Sequence, residues 1–298
     1  MNILRSSCLF FGLVFFAVAA GAQDSSLGQT LSRVAARQVL YVGYREAAVP
    51  FSYLTPGQSF PVGYLLDVCS HVFSAVENRL GVKVKTVPVA VTENARTMML
   101  KTGITDLDCG AAGNTVGKQK QVSFSTNVFI SEIKIMVKKD AGLSSFEQLA
   151  GKRVVTVAGG TAERQVKQAA LVNNILLQHL LANTPVEAMA MLAQGKVEAY
   201  AADDAVLVAE RAGSSGDFVL FDAALATEPF GIMLPKDDPV WKQLVDETLT
   251  GLMQSGELAR IYDKWFMSPI PPAGINLNLP MSKLLKAAIL EPGDTPVN

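Results

Sequence analysis

Strand-like and helix-like segments alternate along this chain in two successive sets, and β-rich stretches near residues 130 and 230 join the sets. With a length of 298 residues, that pattern predicts an α/β fold of two lobes, each a central mixed sheet with flanking helices, connected by a two-segment hinge. The first lobe then draws on residues 23–130 and 231–298, and residues 131–230 form a second lobe inserted into it. The position of charge is the third observation. Arg45 and the pair Asp203-Asp204 follow directly on predicted strands, and in open α/β sheets ligands gather at the carboxyl ends of strands.

Each element has a local reason. Residues 39–43 form a short apolar strand ending in the loop 44–50. Leu65, Leu66, Val68, Cys69, Val72, Phe73, Val76 and Leu80 recur at helical spacing and stop at Gly81, a suitable left-handed terminator. A half-buried strand follows at 82–87, then a helix over 93–102 closed by Gly103, and a strand at 107–110. The segment 122–139 is rich in β-formers, with Ile133, Ile135 and Val137 alternating against Lys134, Met136 and Lys138. The alternation then restarts with a helix over 144–150, a strand at 153–157, a Gly159-Gly160 turn and a helix over 161–172. Thr184, Pro185 and Glu187 make a capping box for the next helix. A strand at 197–201 leads to Asp203-Asp204 and the helix 205–212, and strands follow at 218–221 and 230–234. Helices at 238–253 and 257–266 lead into a tail with one short helix near 284–289.

The amino terminus predicts export. Arg5 precedes an apolar run over residues 9–20, and Ala20-Gly21-Ala22 supplies small residues at a cleavage spacing, so residues 1–22 read as a signal peptide. The run is shorter than the roughly 20 residues of a membrane span. The formal charge of −1 and the lack of a basic stretch argue against nucleic acid as a partner. Beyond Cys8 in the leader, Cys69 and Cys109 remain, and an oxidising compartment allows them to pair or to stay as two buried small residues.

Enzyme signatures are sparse. His71 and His179 are the two histidines, and neither has Cys, Asp or Glu at metal-ligand spacing. Gly159-Gly160-Thr161 lacks the Lys-Ser/Thr pair of a phosphate loop, while the free N–H groups of the helix it opens favour a carboxylate. Arg96 near a helix start sits at the unfavourable end of the helix dipole, which a bound carboxylate offsets by bidentate pairing. Asp203 or Asp204 offers the reverse partner for an ammonium. Arg45, Arg96 and the two aspartates together suggest a zwitterionic ligand, with no metal and no cofactor.

Several stretches resemble the polar amino-acid-binding proteins of ABC transporters, in particular their glutamate/aspartate-binding branch. They include Val42-Gly43-Tyr44-Arg45-Glu46, Val49-Pro50-Phe51-Ser52-Tyr53, Cys109-Gly110, Gln119-Lys120-Gln121, Asp203-Asp204-Ala205, Lys236-Asp237-Asp238-Pro239, Asp263-Lys264-Trp265-Phe266 and Pro269-Ile270-Pro271-Pro272. The resemblance covers nearly all of the chain after the leader. It implies a type II periplasmic binding protein: a monomeric periplasmic receptor, not an enzyme, that holds an acidic amino acid and hands it to an inner-membrane permease. It implies that Arg96 binds the α-carboxylate, Asp204 or Asp203 the α-ammonium, Arg45 the side-chain carboxylate, and that Thr161 contacts the ligand through its hydroxyl and amide.

The chain also departs from that pattern. Ala111, Ala112 and Gly113 stand where hydroxyl residues line the family's site, Lys118 replaces an Arg, Ala162 replaces a Thr, and Pro185 or Thr184 stands in place of a His. Glu93 takes the position of a small hydroxyl residue and, facing the cleft, would repel an acidic ligand. Two other readings follow: a cleft retuned to another solute or a partner-sensing role, and a dehydratase-type enzyme on the same fold with Glu93 or Lys118 as proton donor.

Overall fold

A computed structural model of the protein describes residues 27–297, and the expected leader lies outside them. The first half runs α1 (Gly28–Arg37), β1 (Val39–Tyr44), β2 (Ala47–Ala48), β3 (Ser52–Tyr53), α2 (Tyr64–Leu80), β4 (Lys85–Ala90), α3 (Arg96–Lys101), β5 (Leu107–Gly113), α4 (Val116–Gln119) and β6 (Ser123–Phe124). The long strand β7 (Phe129–Lys138) leads to β8 (Arg153–Val157), α5 (Thr161–Val172), β9 (Gln178–Ala182), α6 (Pro185–Ala193), β10 (Ala199–Asp203), α7 (Asp204–Ala212) and β11 (Phe218–Leu220). A second long strand, β12 (Ala226–Leu234), returns the chain to α8 (Pro239–Gln254), α9 (Glu257–Phe266), the pair β13 (Pro269–Ile270) and β14 (Ile275–Asn276), and α10 (Lys283–Leu290).

Ten of these strands form one curled sheet in the order β4-β1-β5-β12-β7-β10-β8-β9, with β6 on β12 and β11 on β7. The strands β4, β1 and β5 are parallel, as are β9, β8 and β10. Between the two sets run β7 and β12, antiparallel to each other and paired from Phe129↔Phe230 to Ile133↔Ala226. Past that ladder β12 pairs with β5 through Phe230↔Gly113 and Gly231↔Ala112, while β7 pairs with β10 from Ile133↔Asp203 to Val137↔Ala199. Strand β12 is thus built into the sheet of the first half and β7 into that of the second, and the ladder between them is the two-segment crossing expected near residues 130 and 230.

Differences from the expected elements have local causes. The helix expected at 144–150 is a single 3-10 turn, Glu147–Leu149, because the Gln148 carboxamide takes the N–H groups of Ser144 and Ser145 and Gly151 turns left-handed (φ 73). The strand expected at 197–201 is β10, two residues further on, so Asp203 is its last residue and Asp204 opens α7. Strand β9 is an outer edge whose Gln178 and Leu181 are exposed, so it lacks the apolar run that marks a strand.

The first half is anchored by polar groups as much as by apolar ones. Phe51, Tyr64, Phe129, Phe230, Tyr262 and Phe266 stack or meet edge to face at 4.4–6.4 Å, and the Tyr64 hydroxyl donates to the Val128 carbonyl at 2.7 Å. Trp241, fully buried, donates through Nε1 to the Asp106 carbonyl at 3.1 Å. Asp238 accepts from the Thr30 N–H at 2.7 Å and the Trp241 N–H at 3.1 Å, so one carboxylate serves the starts of α1 and α8. A disulfide joins Cys69 on α2 to Cys109 on β5, settling the two open options for these residues.

Candidate functional site

A cavity of about 70 Å³ lies beside the β7–β12 crossing, and both halves line it. From the first half come Arg45 just after β1, Glu93 before α3, Ala111 and Gly113 on β5, and Lys118 on α4; from the second come Thr161 and Ala162 at the start of α5, Pro185 at the start of α6, and Asp203 at the end of β10. Glu228 and Phe230 reach it from β12. A larger groove of about 470 Å³ runs between α6–α7 and the β13–β14 pair. Its lining is mostly apolar, with Glu210 its one titratable side chain among the described residues, so it lacks convergent polar groups.

One wall of the small cavity is a charge cluster. The Arg96 guanidinium, 1% exposed, forks onto Asp108 through Nε (2.9 Å) and Nη2 (2.7 Å) and donates through Nη1 to Glu93 (2.9 Å) and to the Ala111 carbonyl (3.1 Å). Glu93 also receives Arg45, and Lys118 Nζ stands 4.0 Å from its second oxygen. Burial pushes the Glu93 carboxyl up, but Arg96, Lys118 and Arg45 outweigh it and bring it down to about 2. Burial works against the Arg96 cation too, and Asp108 with Glu93 still raises its pKa above the ordinary value. The backbone is shaped for this packing: Ala111 sits in the left-handed region (φ 57), and a side chain at Gly110 would meet Arg45, Asp108 and Arg96 at 2.8–3.1 Å.

The facing wall is acidic. Glu228, 2% exposed, lies within hydrogen-bond reach of Thr161 and Asp203, and Asp203 Oδ1 is buried with no hydrogen-bond partner. Burial, Glu228 and Asp204 all push the Asp203 carboxyl up, and burial does the same to Glu228 against the pull of Lys118. Two such carboxyls side by side resist joint ionisation, and a cation between them would relieve that.

Of the residues singled out from the sequence, Arg45, Glu93, Lys118, Thr161 and Asp203 line the cavity. Arg96 stands behind its wall, its donors taken up by Asp108, Glu93 and Ala111, and Asp204 accepts from Ser131, the Glu132 N–H and the Ala205 N–H, tying α7 to β7. Pro185 lines the cavity while Thr184 caps α6 by accepting from the Glu187 N–H at 3.1 Å. His179 pairs with Thr156 at 2.8 Å. Among the described residues no group of three or more His, Cys, Asp or Glu is arranged to hold a metal ion, and no helix is long and apolar enough to cross a membrane. Glu228 and Asp108 were not singled out from the sequence; a carboxylate opening the apolar run of β12 was the available signal for the first.

Residues 40–268 match the model of the bacterial extracellular solute-binding proteins, family 3. The chain belongs to that family. Among family relatives, the L-glutamate/L-aspartate-binding protein of Pseudomonas aeruginosa is 35% identical over 98% of this chain and 97% of its own length. The glutamate/aspartate import solute-binding protein of Escherichia coli is 32% identical over the whole of both chains. Among solved structures, an ancestral arginine-binding protein bound to arginine superposes with a TM-score of 0.66 at 28% identity, covering 77% of this chain and 99% of that one. The two-lobe type II periplasmic binding protein fold is therefore that of this solute-binding protein.

Proposed function

We propose that this family 3 protein is the receptor of an ABC importer that captures a polar amino acid in the cleft between its lobes and presents it to an inner-membrane permease. The lobes are residues 23–130 with 231–298, and 131–230; the chain is exported through the leader at 1–22, works in the periplasm as a monomer and performs no covalent step. The observation that carries this reading is a cavity lined on one side by Asp203, whose Oδ1 is buried with no hydrogen-bond partner, and on the other by a cation cluster, which complements a zwitterion. The names of the full-length relatives, glutamate/aspartate binding and import, support the ligand class.

In this reading Asp203, with Glu228 beside it, takes the α-ammonium. Arg45 and Lys118 meet ligand carboxylate, Thr161 offers its hydroxyl and the free N–H groups of α5, and Arg96 holds the cation wall in place. A ligand that bridges the walls favours the closed arrangement, which is the state a transporter distinguishes. Glu93, held ionised, is a poor proton donor, which removes one of the two donors, Glu93 and Lys118, that the dehydratase reading offers.

The test is thermal unfolding of the protein, refolded from denaturant to strip carried-over ligand, against the amino acids and small dicarboxylates. A ligand at a hundred times its dissociation constant adds about 2.7 kcal/mol, and the rise is expected to vanish in Asp203→Asn. No rise with any amino acid would remove the receptor reading.

A further inference from the structure

The cation cluster of the cleft already contains an anion that belongs to the chain. One Glu93 oxygen accepts from Arg45 and, at 2.9 Å, from Arg96, and its other oxygen lies 4.0 Å from Lys118. Glu93 is 11% exposed at its side chain and lines the cavity with Arg45 and Lys118. Arg96 has a second carboxylate of its own in Asp108, so Glu93 is shared by Arg45, Arg96 and Lys118, and of these Arg45 and Lys118 line the cavity. The space left beside it, about 70 Å³, is well under the roughly 300 Å³ at the lower end of small-molecule sites.

We propose that Glu93 is a specificity-determining residue: a tethered carboxylate that occupies the cleft's cation cluster and penalises any ligand that brings a second carboxylate. The proposal rests on the receptor reading above. A dicarboxylate can reach Arg45 and Lys118 only by displacing Glu93 or by lying against it, and a tethered competitor acts at high effective concentration. Displacement does not remove the cost, because Asp203 and Glu228 face the same small space and the expelled carboxylate stays nearby. Like charges brought together in a desolvated site cost several kcal/mol. An amide of the same shape carries one carboxylate fewer and escapes this penalty, and a cationic side chain gains from the surplus acid. Glu93 thus ranks amino acids by net charge, not by size.

Calorimetric titration of glutamate, glutamine and arginine into the wild-type protein, Glu93→Ala and Glu93→Gln tests this. The readout is the dissociation constant of glutamate divided by that of the tighter of glutamine and arginine. Removing the carboxylate leaves Arg45 and Lys118 unpaired in the free cleft, so this ratio is expected to fall roughly tenfold or more in both variants. A smaller fall, or a rise, overturns the role of Glu93 while leaving the receptor reading standing. Failure of all three ligands to bind any of the proteins overturns the role of Glu93 as well, and the receptor reading falls with it only where no amino acid raises the melting temperature. Glu93→Gln keeps the side-chain volume, so it carries the test where Glu93→Ala fails to give the wild-type circular dichroism spectrum.

Discussion

Truncating Arg96 leaves Asp108 buried with, among the described residues, the Gly110 N–H at 2.7 Å as the remaining partner of its side chain, and frees the Ala111 carbonyl as well. Breaking a buried pair from one side costs about 3–5 kcal/mol, so Arg96→Ala is expected to lower the unfolding free energy by that amount, read as a lower urea midpoint with the slope kept. An unchanged midpoint with weakened ligand binding would make Arg96 a ligand group and no more. Glu210, in the apolar groove beside the β13–β14 pair, behaves in the opposite sense. Burial pushes its carboxyl up to about 7 from an ordinary 4.5. Its folded state holds the proton more tightly than the unfolded chain, so its contribution is full below the unfolded value and is lost as pH rises from there through 7. Melting temperatures of the wild type are expected to fall over that window, and those of Glu210→Gln to fall less; parallel curves would refute the assignment. Part of the cavity lining was legible at this scale: Arg45, Thr161 and Asp203 sit at strand ends or helix starts in the sequence, Glu93 and Lys118 stand out as departures from the family pattern, and the five meet in one cavity. What sequence could not show is pairing through space: Asp108 looks like one polar residue in an apolar strand until Arg96 is seen to close on it.

Between elements, the bond from Cys69 to Cys109 fastens α2 to β5 immediately beside Asp108 and Gly110. It closes a 40-residue separation, for which chain-entropy reasoning gives about 4 kcal/mol. A Cys69→Ala, Cys109→Ala variant should unfold at correspondingly lower denaturant, and reducing the wild type should reach the same midpoint. Asp238 is the other small part with a large reach. Its replacement by Ala leaves the Thr30 and Trp241 N–H groups without their acceptor, and a lost cap costs about 1 kcal/mol, so a loss of about 2 kcal/mol across α1 and α8 is expected. The elements that were readable beforehand carry their own punctuation: Gly81 after α2 and the Thr184 cap before α6 are visible in a line of letters. Two of the unread ones, α1 and β9, have none. Helix α1 buries only Thr30, Leu31 and Val34 and starts at Leu27 with no side-chain cap, and β9 is an edge whose mixed character follows from having one covered face.

At the scale of the molecule, the two halves approach closely where Gly159, at φ 76, lies against the Asn94 carboxamide and the Glu93 side chain, so that an added Cβ would collide with the Asn94 oxygen. Gly159→Ala is expected to weaken every amino-acid ligand by about 1 kcal/mol, and adding Asn94→Ala should recover part of that loss by clearing the space. Calorimetry of the single and double variants decides it, since affinities equal to wild type would mean the halves do not press together there when a ligand binds. The ladder that connects those halves, Phe129–Ile133 with Ala226–Phe230, sets how they can move. Because the two crossing strands are hydrogen-bonded to each other, they act as one ribbon. A ribbon flexes across its face and resists sliding along its length, so a tilt of one half against the other is the expected motion and a shear is not. Such a tilt reduces to a single angle, and one spectroscopic label on each half is expected to report it as ligand is added.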